Sequence, residues 1–187
     1  MEKVSINQSI RLSEHITLGE VTKSRHAEVY NIPSHVAIEN LKRVCEWLEE
    51  LRRRYNLRYV LPLSRGSQRG SDPPQYSTVQ TTPTPPNSGG EEDTEEPIII
   101  TSGYRSAELN RKVGGSPTSN HLTGCAVDIR CYGPEQMIRM ASILLDIADG
   151  TKREFDELIL EKRGSTYWIH FAVRPKDNRR KILFDCR

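Results

Sequence analysis

His121 and Asp128 stand in the stretch Ser-Asn-His-Leu-Thr-Gly-Cys-Ala-Val-Asp and offer an imidazole and a carboxylate. That mixed nitrogen and oxygen set suits a catalytic zinc ion, which takes three protein ligands and keeps one position open. Gly124 between them argues against a single helical face and for a tight loop. The following Cys-Ala-Val-Asp-Ile-Arg-Cys alternates with period two. As a strand it sends Ala126, Asp128 and Arg130 to one face and Cys125, Val127, Ile129 and Cys131 to the other. Asp128 is therefore expected to face a cleft, and the apolar set the core. Taken alone, the same spacing also fits a surface histidine ahead of a half-buried strand.

His170 is the candidate third ligand. Of the five histidines it alone combines a strand position with a small same-face neighbour, Ala172, that leaves room for a substrate. By itself it also reads as a satisfied histidine within an apolar strand. His15 and His26 have no partner at metal-like spacing and read as surface or capping side chains. Cys125 is a soft donor close by, but the alternation turns it away from Asp128.

Such ligands need elements to carry them. Ile98–Ile100 reads as a short, fully buried strand, and Thr-Ser-Gly-Tyr-Arg-Ser leads from it into a helix capped by Ser106. Arg105 at that turn is placed either to bind a carboxylate or carbonyl, or to cap nearby carbonyls. Ala37, Leu41, Val44, Cys45, Leu48, Leu51 and Tyr55 recur at intervals of three and four, which predicts an amphipathic helix over residues 34–55. Arg52, Arg53 and Arg54 suit the negative end of its dipole. Pro134 opens a second apolar helix over 134–149, with Met137, Ile138, Met140 and Leu144 among its core residues. Phe155–Lys162 and Tyr167–Val173 form a predicted hairpin around Gly164. Near the start, Thr17 and Glu20 have capping-box spacing for a short helix.

A chain of 187 residues is about one domain's worth. Its 27 basic and 25 acidic side chains, net +2, give no case for a dedicated nucleic-acid binder. The four cysteines lack CxxC spacing and are expected as free thiols. No apolar stretch approaches a membrane-spanning length, and Met-Glu-Lys-Val-Ser is not a signal peptide, so a soluble chain made in the cytoplasm is expected; a monomer is the expected state. Ser64 to Glu96 is rich in Ser, Thr, Pro, Gly and Glu and is expected to be a disordered insertion within a single domain spanning 1–187.

Three motifs in order, Ser-Gly-Tyr-Arg-Ser (102–106), Ser-x-His-x-x-Gly-x-Ala-x-Asp (119–128) and Trp-x-His (168–170), resemble those of the zinc D-alanyl-D-alanine carboxypeptidase family. Those enzymes cleave peptidoglycan and share their zinc-binding fold with the Hedgehog signalling domain. Leu-Ser-Glu-His-Ile-Thr-Leu-Gly-Glu (12–20) resembles the opening of the phage and prophage branch. The resemblance covers most of the chain outside 64–96. The fold expected is α+β, a small antiparallel sheet carrying the zinc site against the two longer helices.

By this resemblance His121, Asp128 and His170 hold Zn2+, Arg105 binds the substrate's carbonyl or carboxylate, and Ser119 also meets the substrate. The family's commonest pattern has its acid, the general base, three residues before the last histidine. That position is Tyr167, so the base must come from elsewhere. If the hairpin pairs Glu161 with Trp168, Glu161 shares a face with His170 and lies diagonal to it, about 7 Å away. Asp156 and Glu157, earlier on the same strand, are weaker candidates. The implied function is zinc-dependent hydrolysis of a peptide bond in the peptidoglycan stem peptide, by a carboxypeptidase or an endolysin-like endopeptidase. Its substrate lies in the cell wall, outside the cytoplasm. The alternative is a non-catalytic zinc domain that binds peptides or proteins. A Ser/His hydrolase using Ser119 lacks a nucleophile elbow.

Overall fold

Thr17 and Glu20 do close a capping box: the Thr17 N–H donates to Glu20 Oε2 at 2.7 Å, and Thr17 Oγ1 accepts from the Glu20 N–H. In the computed structural model, which describes residues 7–57 and 96–186, they open helix α1 (Leu18–Thr22). Ser34 then caps α2 (His35–Asn56), accepting from the Ala37 N–H at 3.2 Å. The three-and-four periodicity puts Leu41, Val44, Leu48 and Leu51 on one buried stripe. At its end the Asn56 side chain donates to Glu96 O at 3.1 Å and accepts from Glu96 N–H at 2.9 Å. Except for Glu96, the expected insertion at 64–96 lies outside the described residues.

The strand expected at Ile98–Ile100 is displaced: β1 is Ile100–Ser102, and it is half-buried rather than fully buried, with Thr101 exposed. Among the described strands it pairs with β2 alone, at the edge of the sheet. Ser106 caps α3 (Ala107–Lys112). A 3-10 turn (Asn120–Thr123) follows, then β2 (Ala126–Cys131), and α4 (Pro134–Thr151) with Pro134 in its first turn. Ile138, expected in the core of α4, is 58% exposed because its neighbours Met137 and Met140, not Ile138, occupy the sheet-facing stripe. β3 (Glu157–Arg163) and β4 (Thr166–Ala172) form the hairpin, with Gly164 at φ +59°.

A further strand, β5 (Lys181–Cys186), makes the sheet five-stranded, in the order β1-β2-β4-β3-β5. It runs parallel to β3, so the sheet is mixed and not purely antiparallel as expected. The reason lies in the connection. After Ala172 the chain turns across the beginning of β3, where Arg180 N–H donates to Phe155 O at 3.0 Å and Lys181 N–H to Asp156 O at 2.9 Å. β5 thus starts level with the start of β3 and runs alongside it.

One face of the sheet packs on α2 and α4. Val127, Ile129, Leu158, Ile169 and Phe171 are fully buried there. Trp47 of α2 seats on Phe171 with ring centroids 5.3 Å apart and meets Phe155 edge-on at 6.4 Å. Aromatic pairs of this kind add about 0.5–1.5 kcal/mol each beyond area burial. Among the described residues no helix is long and apolar enough to cross a membrane.

Candidate metal centre

The other face of the same strands carries the polar cluster. Asp128 on β2 lies directly opposite His170 on β4 in the antiparallel register, so strand pairing alone brings these two side chains to one face. His121 arrives from the 3-10 turn, which is tied down on three sides. Gly124 closes the turn at φ +72°, and a Cβ there would stand 2.4 Å from Ala37 O of α2, so only glycine fits. Asn40 of α2 donates to Thr123 O at 2.9 Å, and Arg105 N–H donates to His121 O at 3.1 Å. Gly103 is also forced, since a Cβ would meet Val21 O of α1 at 2.3 Å. The glycines of the first two motifs are therefore packing requirements of the site's scaffold.

Three donor atoms converge. Asp128 Oδ1 is 3.1 Å from His121 Nε2 and 3.0 Å from His170 Nδ1, and the two nitrogens are 3.2 Å apart. Tetrahedral zinc with bonds of about 2.0–2.1 Å holds neighbouring ligand atoms about 3.3 Å apart. The cluster is thus already at metal-binding dimensions, and all three residues are buried. His121 Nδ1 sits 2.6 Å from Gly103 O; as the donor to that carbonyl it leaves Nε2 with a free lone pair. His170 Nε2 lies 3.5 Å from Glu157 Oε2, on the far side of the ring from the cluster. Chemistry and geometry both fit a zinc ion held by two imidazoles and one carboxylate.

The electrostatics favour a cation. Burial alone would raise the pKa of Asp128, but His121 and His170 outweigh it and hold the carboxyl well below its usual range. Burial lowers the pKa of His121. It would lower that of His170 as well, yet the Asp128 and Glu157 carboxylates on either side of that ring raise it. An ionised carboxylate is therefore buried between two imidazoles, where a metal ion and a proton compete for the same lone pairs.

The cluster opens onto a cavity of about 670 Å³ also lined by Arg105, Ser119, Glu157, Glu161 and Trp168. Arg105 donates from Nη2 to Asp128 Oδ2 at 2.5 Å and from Nε to Ser102 Oγ at 2.8 Å, so it steadies the carboxylate oxygen that faces away from the histidines. Ser119 Oγ accepts from the His121 N–H at 3.3 Å. Glu161 pairs with Trp168 in the hairpin, the register expected from sequence, and so shares the face of His170. Burial, and next the negative charge of Asp128, raise its pKa. Tyr167 points to the opposite face and packs against the core. Cys125 is buried and stands outside the cluster. His15 bonds Glu49 at 2.8 Å and His26 lies 3.3 Å from Glu28, neither near the cavity.

The two other acids of β3's approach are engaged. Asp156, fully buried, takes Arg179 Nε and Nη2 at 2.8 and 2.6 Å and Asn120 Nδ2 at 2.8 Å. The pKa of Glu157 is lowered to about 2, first by its pairing with the His170 ring at 3.5 Å and against the effect of burial. Sequence reasoning missed Asn120, Arg179 and Lys181 around these acids. Only Glu157 carried a signal, its period-two alignment with Glu161.

Residues 90–161 match the family model for Peptidase M15. Over that segment the chain is similar to the peptidase M15 family. The segment contains Arg105, His121, Asp128 and Glu161, and it ends before His170, which the sheet supplies from β4. The likeness is to metallopeptidases, and it covers the segment that carries two of the three converging ligands. No curated protein matches the chain.

Proposed function

We propose that this chain is a zinc peptidase of the M15 type that hydrolyses a peptide bond in peptidoglycan stem peptides. The observation that carries the reading is the convergence of His121 Nε2, Asp128 Oδ1 and His170 Nδ1 beside a cavity that also receives Glu161 and Arg105. His121, Asp128 and His170 would hold the ion. When bound there, zinc supplies a Lewis acid for a peptide carbonyl and lowers the pKa of water toward about 7.

Glu161 takes the proton of the attacking water and passes it to the leaving amine. Its raised pKa suits both halves of that role. Arg105 has Nε and Nη2 engaged within the protein and turns Nη1 to the substrate's carbonyl or carboxylate. Ser119 lies along the same wall for a substrate contact. The peptidoglycan assignment rests on the motif resemblance, as does a phage or prophage setting from residues 12–20. In that setting a monomer made in the cytoplasm meets its substrate outside it, with lysis of the cell as the route.

A second reading, a zinc domain that binds peptides without cleaving them, is favoured by Tyr167 at the family's usual acid position. Incubation with purified cell-wall peptides, followed by mass spectrometry with and without chelator, separates the two. Cleavage at one bond, lost on chelation and restored by zinc, is expected. Release of a single terminal residue marks a carboxypeptidase, and internal fragments an endopeptidase. Zinc-dependent peptide binding without any cleavage would establish the second reading instead.

A further inference from the structure

An imidazole can present either nitrogen to a metal, and β4 by itself does not choose between them. The choice falls to whatever accepts a proton from the other nitrogen. On β3 the residue directly opposite His170 is Ile159, which offers no side-chain acceptor, and the two residues diagonal to it are Glu157 and Glu161. These chemically identical side chains differ in their partners.

Glu157 is saturated. Its Oε1 receives Arg179 Nη2 at 3.0 Å and Lys181 Nζ at 3.3 Å, and its Oε2 receives Asn120 Nδ2 at 3.0 Å with His170 Nε2 at 3.5 Å. The last distance is long for a hydrogen bond and within ion-pair range. Asn120 is the chain neighbour of His121, and the same amide donates to the buried Asp156 at 2.8 Å. The surroundings of the two histidines are thus tied together through one side chain, and the turn before β5 contributes through Arg179.

We infer that Glu157 is a positioning residue for the metal centre: held by Asn120, Arg179 and Lys181, it receives the Nε2 proton of His170 and so turns Nδ1 toward the ion. The inference rests on the zinc reading above. It also divides labour on β3, with Glu157 orienting a ligand and Glu161 left for proton transfer.

Zinc affinity, measured by competition with a chromophoric chelator, tests it without reference to turnover. Glu157→Ala should bind zinc roughly 10–100-fold more weakly than wild type. Glu157→Gln, whose amide oxygen still accepts from Nε2, should regain most of that loss. In zinc-loaded wild type, long-range 15N–1H spectra of the imidazoles should show His170 protonated on Nε2 and His121 on Nδ1. Wild-type zinc affinity in a folded Glu157→Ala protein, or ligation of His170 through Nε2, would overturn the inference. The ring spectra decide the matter if Glu157→Ala does not fold. A wild-type protein that binds no zinc at all would overturn the zinc reading itself, a different result from either.

Discussion

Strands β2 and β4 present two faces that are one residue apart and held by different forces. Val127, Ile129, Ile169 and Phe171 are fully buried against α2 and α4. Asp128 and His170, between them in sequence, are buried against each other, His121, Arg105 and Glu157. The first face gains from apolar area removed from water, about 25 cal/mol per Å². The second gathers charges whose mutual attraction roughly offsets their desolvation. The contrast teaches that the fold rests on the apolar face while the site is carried on the other, so neighbouring residues should fail in different ways when altered.

The sharpest break would come at the ligands. Replacing His121, Asp128 or His170 with Ala should abolish stoichiometric zinc while the far-UV circular dichroism stays near wild type. Metal analysis after dialysis reads this, and full zinc in His170→Ala would remove it as third ligand. Phe171→Ala, the very next residue, should do the reverse. About 3–5 kcal/mol of stability should be lost in urea denaturation, with the ligand set intact in whatever fraction stays folded.

Glu161→Gln should keep zinc and lose roughly a hundredfold in turnover on wall peptides, because size and hydrogen bonding persist while the base is gone. Wild-type turnover in a zinc-loaded preparation would end that assignment. Asp156 sharpens the comparison from the polar side. Burial pushes its pKa up, but Arg179 and Asn120 outweigh it and hold the carboxyl at about 2, below its ordinary 3.8. A folded-state value below the unfolded one means stability that is fully present above about pH 5 and is lost as pH falls toward 2. Asp156→Asn should therefore cost about 2 kcal/mol at pH 7 and far less at pH 2, as read from denaturation curves across that range. The smallest effect is expected from replacing residues 64–95 with a short Gly/Ser linker. Asn56 already clasps Glu96, and closure entropy varies slowly with loop length, so the thermal midpoint should hardly move. A large drop would mean that the excised segment contributes to the core.

Much of this was readable because it is local. Thr17 and Ser106 cap helices through their own following N–H groups, Pro134 starts α4, and the periodicity of α2 marks its buried stripe. The pairing of Glu161 with Trp168 is one of the few registers that a short turn at Gly164 leaves open, and it is the one the hairpin adopts. The Peptidase M15 match agrees with the motifs at Arg105, His121 and Asp128.

What the sequence by itself determined, then, is the set of elements, the order of the motifs and the types of donor atom. Only the tertiary structure decided how they meet. β5 escaped notice because Lys-Ile-Leu-Phe-Asp-Cys has no turn signal tying it to a partner, and its place beside β3 depends on backbone bonds from Arg180 and Lys181 to Phe155 and Asp156. The approach of Glu157 to one nitrogen of His170, and of Asn120 to two acids at once, spans 13 to 37 residues of chain. Hydrogen-bond partners at such separation leave no periodicity in the sequence, since they are chosen by the packing of the sheet and not by any residue's own conformational preference.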